Sequence, residues 1–378
     1  MISNTTREMI PSIVMKRIRP YMLVTLLCIV YVAYVLAQND GDPLALVTLG
    51  SQFSEGVPAD QDGSEGYDGQ FVYYIARDPS SAAQYIDAPA YRFQRILLPA
   101  LGMALSFGQT SLIPFALLIV NLISLAAGTA LLERLLVERG VSRWYAIGYG
   151  LALGTFGAVR LSLPEPLAYA LALGGVALAL RDRWLLSAVL FALAGLAKET
   201  TFIVAAGVGL YLLTRRQWRD ALIFGVVSLL PFIIWQWILV QHFGTWGIGS
   251  GGAMATPFEI IPFMGVMRIL TEGGAAVFGA LMAILLPFVL IPTLWALYRV
   301  WRDIRSREFT IYTALLAVTA LIMLFVPFST YREPIGILRF IVGLQIAVIL
   351  YAAHKRDARV LRNSTLWMLT ALFGFSLI

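Results

Sequence analysis

The chain has 378 residues, of which 59% are apolar and only 13% charged, and its mean hydropathy is +0.78 with a net charge of +6. This composition excludes a water-soluble globular domain, because apolar stretches near the roughly 20 residues that cross a bilayer recur along the chain. Continuous apolar runs without strict alternation favour transmembrane helices over the strands of a barrel.

The first apolar span, residues 20–37, follows a basic amino-terminal segment. Val35-Leu36-Ala37 resembles a signal-peptidase site, but the long preceding segment and the full length of the span predict a retained anchor. Further spans are predicted at 112–132, 144–160, 163–180, 184–197, 200–213, 219–242, 274–300, 309–328, 335–353 and 365–378. The sequence therefore predicts an all-α, multi-pass membrane protein of about eleven spans, forming a single membrane domain over residues 1–378.

A long external loop, residues 38–108, is inserted after the first span. Its part 38–93 holds nine of the 22 acidic residues and the motif Gly66-Tyr67-Asp68-Gly69-Gln70-Phe71. From Asp68 to Pro79 the pattern is helical, with an apolar stripe suited to lying on the bilayer. Residues 94–108 are apolar but short and interrupted by proline and glycine, so we expect an interfacial or re-entrant helix on the outer side.

The charges indicate which side each loop faces. With a cytoplasmic amino terminus, the inner segments receive 20 of the 28 Lys and Arg residues, as the positive-inside rule requires, and the outer segments receive 14 of the 22 acidic residues. This bias also explains the net positive charge, so no nucleic-acid partner is indicated. If residues 94–108 crossed the membrane, every later loop would lie on the opposite side, and most of the Lys and Arg residues would be outside.

The remaining polar clusters all fall on the predicted outer face. They are Arg160 with Pro164-Glu165-Pro166, the run Lys198-Glu199-Thr200, the glycine-rich stretch 244–252, and Tyr331-Arg332-Glu333-Pro334 with Arg339. Because unrelated segments place polar residues on one face, we expect a single external site. The spans around Lys198 and Glu199 are short, and charged residues at membrane depth tend to be functional.

Asp68 has two compatible interpretations. As an N-cap, its carboxylate would accept backbone N–H bonds at the start of the helix. An aspartate fixed in this way is also rigid and partly desolvated, as a base that takes a proton from a substrate hydroxyl must be.

A metal site is weakly indicated. One cysteine, Cys28, and two histidines, His242 and His354, exclude a disulfide framework, a histidine-rich metal site and a histidine-based triad. Asp60-Gln61-Asp62 has the Asp-x-Asp spacing that holds a divalent cation in many sugar-nucleotide enzymes, although such spacings are common in polar loops. We therefore assign no metal ligand and no cofactor, and a divalent cation stays open as an alternative.

Arg92 and Arg95 are three residues apart and so share one face of a helix. Two guanidinium groups there can hold a phosphate through charge-assisted bonds, or else extend to anionic lipid headgroups. The same two alternatives apply to Lys198 and Arg339.

These residues resemble a known family. Tyr67-Asp68-x-x-Phe71 followed by Ile75-Ala76, and then Ile96-Leu97-Leu98-Pro99, resembles the first external loop of the multi-pass glycosyltransferases of the GT-C superfamily. The pattern is similar to that of the mannosyltransferases that add the second mannose of GPI anchors, with Tyr67 in place of Trp. Many bacterial membrane proteins of unassigned activity carry a closer Tyr-Asp-Gly-Gln-Phe version.

The resemblance implies a function. A sugar would pass from a polyprenyl-phosphate donor to a hydroxyl of a glycan or lipid acceptor, with inversion, on the outer face of what is expected to be a bacterial cytoplasmic membrane. Asp68 would be the catalytic base, and Glu165 would position the acceptor or help to bind a cation. The candidates for substrate binding are Tyr67, Gln70, Arg92, Arg95, Arg160, Glu165, Lys198, Glu199, Arg332 and Arg339.

Two other functions stay open at this point. A transporter or flippase of a lipid-linked saccharide would usually carry ionisable residues at mid-membrane and repeated halves. The centres of the spans hold only amides such as Asn121, Gln236 and Gln345, and no repeat is evident. A non-catalytic scaffold would tolerate changes at Asp68 and bind no polyprenyl phosphate.

Overall fold

A computed structural model of the chain describes residues 18–53, 63–252 and 254–377. Every regular element within these ranges is a helix, which confirms the predicted all-α class. The Asp60-Gln61-Asp62 motif lies outside the described residues, as does most of the basic amino-terminal segment.

Eighteen α-helices follow one another along the described ranges. Those of the first half are α1 (Pro20–Gln38), α2 (Gly69–Arg77), α3 (Pro89–Phe93), α4 (Leu97–Leu105), α5 (Ile113–Glu138), α6 (Ile147–Gly150), α7 (Ala158–Arg160), α8 (Glu165–Ala179) and α9 (Trp184–Ala197). Those of the second half are α10 (Phe202–Thr214), α11 (Trp218–Phe243), α12 (Met264–Leu285), α13 (Ile291–Arg305), α14 (Ile311–Ile322), α15 (Phe328–Arg332), α16 (Pro334–Phe340), α17 (Val342–Lys355) and α18 (Ala358–Ser364).

Four of the described helical stretches are long and apolar enough to cross a membrane. They are Pro20–Gln38, Thr110–Glu138, Trp218–Phe243 and Met264–Arg305, and the pair α16 and α17, bent by 46°, makes a fifth if it forms one span. Four other predicted spans are apolar helices of fewer than 18 residues, namely α8, α9, α10 with its preceding 3₁₀ turn, and α14. The number of crossings therefore stays a prediction.

Three predicted spans differ from the structure. Residues 144–160 do not form one helix but short pieces, α6 and α7 separated by a π-helical turn, Leu153–Gly157. Glycines allow this segment to approach other backbone closely: a Cβ at Gly154 would lie 2.6 Å from the carbonyl oxygen of Leu338. The terminal segment is a 3₁₀ helix, Thr365–Leu377, and the span predicted from residue 274 begins at Met264 with a break at Gly274.

Helix α2 does not lie on the bilayer as predicted, because the protein surrounds it. All its residues from Gly69 to Ala76 are buried, in a core shared with side chains of α3, α4 and α5. A Cβ at Gly69 would lie 2.0 Å from the carbonyl oxygen of Leu161, so only glycine allows this approach. The start of α2 is thereby held against the segment that leads from α7 to α8.

Helix α4, in the segment 94–108, has nine residues and is too short to cross a bilayer, as the sequence indicated.

Charged side chains of the predicted cytoplasmic segments form ion pairs with one another. Glu133 accepts from Arg19 at 2.6 Å, Arg181 donates to Glu138 at 2.5 Å, and Lys355 donates to Glu308 at 2.8 Å.

Candidate functional site

Asp68 stands at the N-cap position of α2, as predicted, but its carboxylate makes no hydrogen bond to the helix backbone. Instead Oδ1 accepts from Nη1 of Arg92 and Oδ2 accepts from Nη1 of Arg339, each at 2.9 Å. Burial raises the pKa of the Asp68 carboxyl, but the charges of Arg92 and Arg339 outweigh burial and hold the pKa well below its usual range. The predicted capping bond is therefore wrong, and the carboxylate is ionised.

Arg92 is held in place by a second carboxylate. Its Nε and Nη2 donate to the two oxygens of Asp87, both at 2.8 Å, in a bidentate pair, and its guanidinium lies 4.3 Å from the ring centre of Phe71. Asp87 is one of nine carboxylates in the loop, and nothing in the sequence distinguished it except its spacing of five residues from Arg92.

Arg95 lies next to Arg92 and joins a different part of the chain. Its Nε and Nη2 donate to the two oxygens of Glu199 at 2.9 and 2.6 Å, and Nη2 also donates to the hydroxyl of Tyr91 at 2.7 Å. The external loop is in this way tied to the connection between α9 and α10.

Arg339, on α16, is held from the opposite side by Glu165, the first residue of α8. Oε1 of Glu165 accepts from Nε of Arg339 at 2.6 Å and from Nζ of Lys198 at 2.5 Å, and the Glu165 side chain is fully buried. Glu165 thus bonds to two cationic side chains of the protein. One of them is Arg339, so Glu165 holds in place the guanidinium group that bonds to Asp68.

Tyr67 connects Arg339 to Glu333, which belongs to a predicted external polar cluster but was not among the candidates for substrate binding. The Tyr67 hydroxyl accepts from Nη1 of Arg339 and donates to Oε1 of Glu333, both at 3.0 Å. Of the neighbouring pair Arg332 and Glu333, the acidic residue therefore contacts the site, whereas Arg332 is exposed and lies over the ring of Phe328.

The charged groups meet at a small cavity of about 20 Å³, which holds about one water molecule. Its lining consists of Asp68, Arg92, Arg95 and Arg339 together with Phe71, Val72, Ile75 and Pro164. Some of the side chains expected to converge from separate external segments are thus together, namely Asp68, Arg92 and Arg95 of the loop and Arg339 of α16. A carboxylate that can accept a proton faces the same space as three guanidinium groups that can bind an anion.

Besides Arg332, two candidates lie outside this group of charged side chains around the cavity. Gln70 is buried, and its side chain accepts from the backbone N–H of Gly50 at 3.0 Å and donates to the carbonyl of Glu65 at 2.6 Å. Arg160 is also buried, and its Nη1 donates to the hydroxyl of Thr48 at 2.5 Å. Both residues organise the beginning of the external loop.

The charged cluster holds no evident metal site. Within the described ranges, no three His, Cys, Asp or Glu side chains are grouped so as to hold a metal ion. The carboxylates around the cavity are directed at arginine and lysine, as Asp68 and Glu165 are, instead of at one another.

Trp235 and Gln236 of α11 bond to the end of α3. The sequence indicated no such role for Gln236, which was predicted only to be an amide within a span. Oε1 of Gln236 accepts from the backbone N–H groups of Gly247 and Ile248 at 2.9 and 3.0 Å, and its Nε2 donates to Gln94 at 3.3 Å. The indole of Trp235 donates to the carbonyl of Phe93 at 2.9 Å. Helix α11 and the glycine-rich stretch 244–252 thereby pack against the segment that carries Arg92 and Arg95.

Comparison with known proteins yields a fold likeness only. No protein-family model matches the chain, and no curated protein matches it. Among solved structures, ArnT from Cupriavidus metallidurans, crystallised with undecaprenyl phosphate, aligns with 93% of this chain and 76% of its own at 12% identity and a TM-score of 0.46. A likeness of this degree does not establish a family for the chain.

Proposed function

We propose that this protein is a membrane glycosyltransferase of the GT-C type, which moves a sugar from a polyprenyl-phosphate donor to a hydroxyl of a glycan or lipid acceptor. One observation carries the proposal: the carboxylate of Asp68 shares a cavity with the guanidinium groups of Arg92, Arg95 and Arg339. Sugar transfer from a lipid phosphate needs both groups, a base for the acceptor hydroxyl and cations for the departing phosphate.

The reaction is a displacement with inversion at the anomeric carbon. The acceptor oxygen forms the new bond to this carbon, and the bond from the carbon to the phosphate oxygen breaks with its electron pair passing to the polyprenyl phosphate. The proton of the acceptor hydroxyl passes to the carboxylate of Asp68. Negative charge increases on the leaving phosphate in the transition state, where fixed guanidinium groups stabilise it.

Two pairs of charges position the reacting groups. Asp87 holds Arg92 by a bidentate pair, and Glu165 holds Arg339 from its buried side, so that both guanidinium groups keep their orientation toward the cavity. Tyr67 bonds to Arg339 through its hydroxyl, and we propose that it also helps to bind the sugar.

The site is proposed to face the outside of a cytoplasmic membrane, where nucleotide sugars are absent and lipid-linked sugars are the donors. The placement follows from the charge bias of the sequence, which assigns every residue of the cluster to the outer side.

The test is to incubate the purified protein in detergent with a panel of polyprenyl-phosphate sugars and to detect release of polyprenyl phosphate by mass spectrometry. We expect one donor class to be consumed by the wild-type protein and to remain intact with Asp68→Asn. Movement of an intact lipid-linked saccharide across proteoliposomes, without cleavage, would instead identify a transporter or flippase.

A further inference from the structure

Each guanidinium group at the cavity is already paired with a carboxylate. Arg92 is paired with Asp87 and Asp68, and Arg95 is paired with both oxygens of Glu199. Arg339 is bonded to Asp68 and Glu165. An incoming phosphate therefore finds no guanidinium in this cluster that lacks a carboxylate partner, and the cavity of about 20 Å³ holds about one water. A phosphate is larger than this space, so a side chain at the cavity must move, and a carboxylate that releases an arginine both makes room and frees N–H donors.

The contacts indicate which carboxylate this is. Asp87 and Glu199 each hold one arginine through both oxygens, so displacement of either breaks two charge-assisted bonds to one partner. Asp68 holds each of its two arginines through a single oxygen. Its side chain is also the most exposed, at 29% of its surface, compared with 8% for Asp87, 17% for Glu199 and 0% for Glu165.

The bonds from Arg92 and Arg339 also engage both oxygens of Asp68, the proposed base. While each oxygen of Asp68 accepts a bond from an arginine, a proton arriving from a hydroxyl competes with two positive charges. A carboxylate moved away from these charges is more basic and has its oxygens available to an acceptor.

We propose that the donor phosphate and Asp68 compete for Nη1 of Arg92 and Nη1 of Arg339, so that donor binding itself releases Asp68 to act as the base. The inference rests on the proposed function, because it assigns the phosphate of a polyprenyl-phosphate donor to these two atoms. The order of binding follows: the donor binds first, and the acceptor hydroxyl meets a competent base only in the donor complex.

The test is the affinity of the purified full-length protein for decaprenyl phosphate, with decaprenol as the ligand without phosphate. We expect Asp68→Asn to bind decaprenyl phosphate about tenfold more tightly than the wild type, because the neutral amide keeps only one of the two oxygens that bond to Arg92 and Arg339. The matched control is Asp78→Asn, at the other end of α2, which should bind as the wild type does.

Equal or weaker binding by Asp68→Asn would overturn the competition, even if the wild-type protein transfers sugar. If no variant distinguishes decaprenyl phosphate from decaprenol, the proposed function fails as well. If Asp68→Asn does not fold, a structure of the wild type with decaprenyl phosphate tests whether the phosphate displaces Asp68 from the arginines. The Asp68 carboxylate should then lie more than about 4 Å from Nη1 of Arg339, beyond hydrogen-bonding distance, and a retained bond would refute the inference.

Discussion

Arg339 donates through Nη1 to Oδ2 of Asp68 at 2.9 Å, although the two residues are 271 positions apart in the chain. This bond joins the start of α2, in the external loop, to α16 near the carboxy terminus. Two segments far apart in the sequence therefore meet at one charged site, and Arg339 is the residue with which Asp68, Glu165 and Tyr67 are all bonded.

Replacement of Arg339 by glutamine should reduce sugar transfer by about 10²–10³-fold per folded molecule, because a fixed donor to the leaving phosphate is lost. Glu165 also loses one cationic partner in this variant, so the thermal unfolding temperature should fall. Transfer rates and melting curves in detergent measure the two effects.

The matched control is Arg268→Gln, since Arg268 also pairs with two carboxylates, Glu259 and Glu272, but does not line the cavity. It should retain nearly the wild-type rate. A similar loss of rate in both variants would mean that any loss of an ion pair impairs the protein.

The pH dependence follows from the lowered pKa of Asp68. A carboxyl whose folded pKa is depressed contributes stability above its unfolded pKa, near 4, and loses it as the pH falls toward the folded value. The base is thus already ionised at neutral and mildly acid pH. Titration of Asp68 should therefore not change kcat/KM for the donor between about pH 5 and 8.

Arg92→Gln removes one of the three arginine charges that depress the pKa of Asp68, so any acid limb should move to higher pH in this variant. Profiles of initial rate against pH for both proteins provide the measurement. A wild-type limb with a midpoint near pH 6 that is unchanged in Arg92→Gln would contradict this explanation.

The buried pair of Glu165 and Lys198 should show strong coupling. Glu165→Gln leaves both Lys198 and Arg339 without this carboxylate, whereas Lys198→Met leaves Glu165 bonded to Arg339. The first change should therefore lower the free energy of unfolding more than the second. A double-mutant cycle should give a coupling energy of at least about 1 kcal/mol, and additive effects would refute a direct interaction.

The proximity of several charged side chains was predictable, because the positive-inside bias of the sequence assigns them to the same side of the membrane. The positive-inside bias placed Asp68, Arg92, Arg95 and Arg339 on one face, and the structure brings them to one cavity. The pairings were not predictable, since Glu165 and Arg339 are 174 positions apart and no local pattern relates them.

The environment of α2 was predicted wrongly for a physical reason. An apolar stripe indicates that a helix face avoids water, but it does not distinguish lipid from protein. The stripe of Phe71, Val72 and Ile75 packs against protein, and the close approach of Gly69 to Leu161, which buries the start of the helix, depends on tertiary structure.

Gln236 should order the glycine-rich stretch 244–252. In Gln236→Leu the backbone N–H groups of Gly247 and Ile248 lose their acceptor, so hydrogen exchange at these two residues should become faster and transfer should slow.

Gln345→Leu is the matched control for Gln236→Leu. Neither polar atom of the Gln345 side chain has a hydrogen-bond partner among the described residues. Its replacement should leave exchange in the stretch 244–252 unchanged and should not destabilise the protein. Exchange that is equal in Gln236→Leu and Gln345→Leu would exclude a specific role for the Gln236 side chain.

The most direct test of the account compares the release of polyprenyl phosphate from a lipid-phosphate sugar by the wild type, Asp68→Asn and Asp78→Asn. Asp78 is the C-cap of α2 and bonds to Ser80 and Ser81, so its replacement tests the loop without touching the cavity. We predict a loss of at least about 10³-fold for Asp68→Asn and a rate close to the wild type for Asp78→Asn. Transfer by Asp68→Asn at the wild-type rate would contradict the assignment of Asp68 as the base.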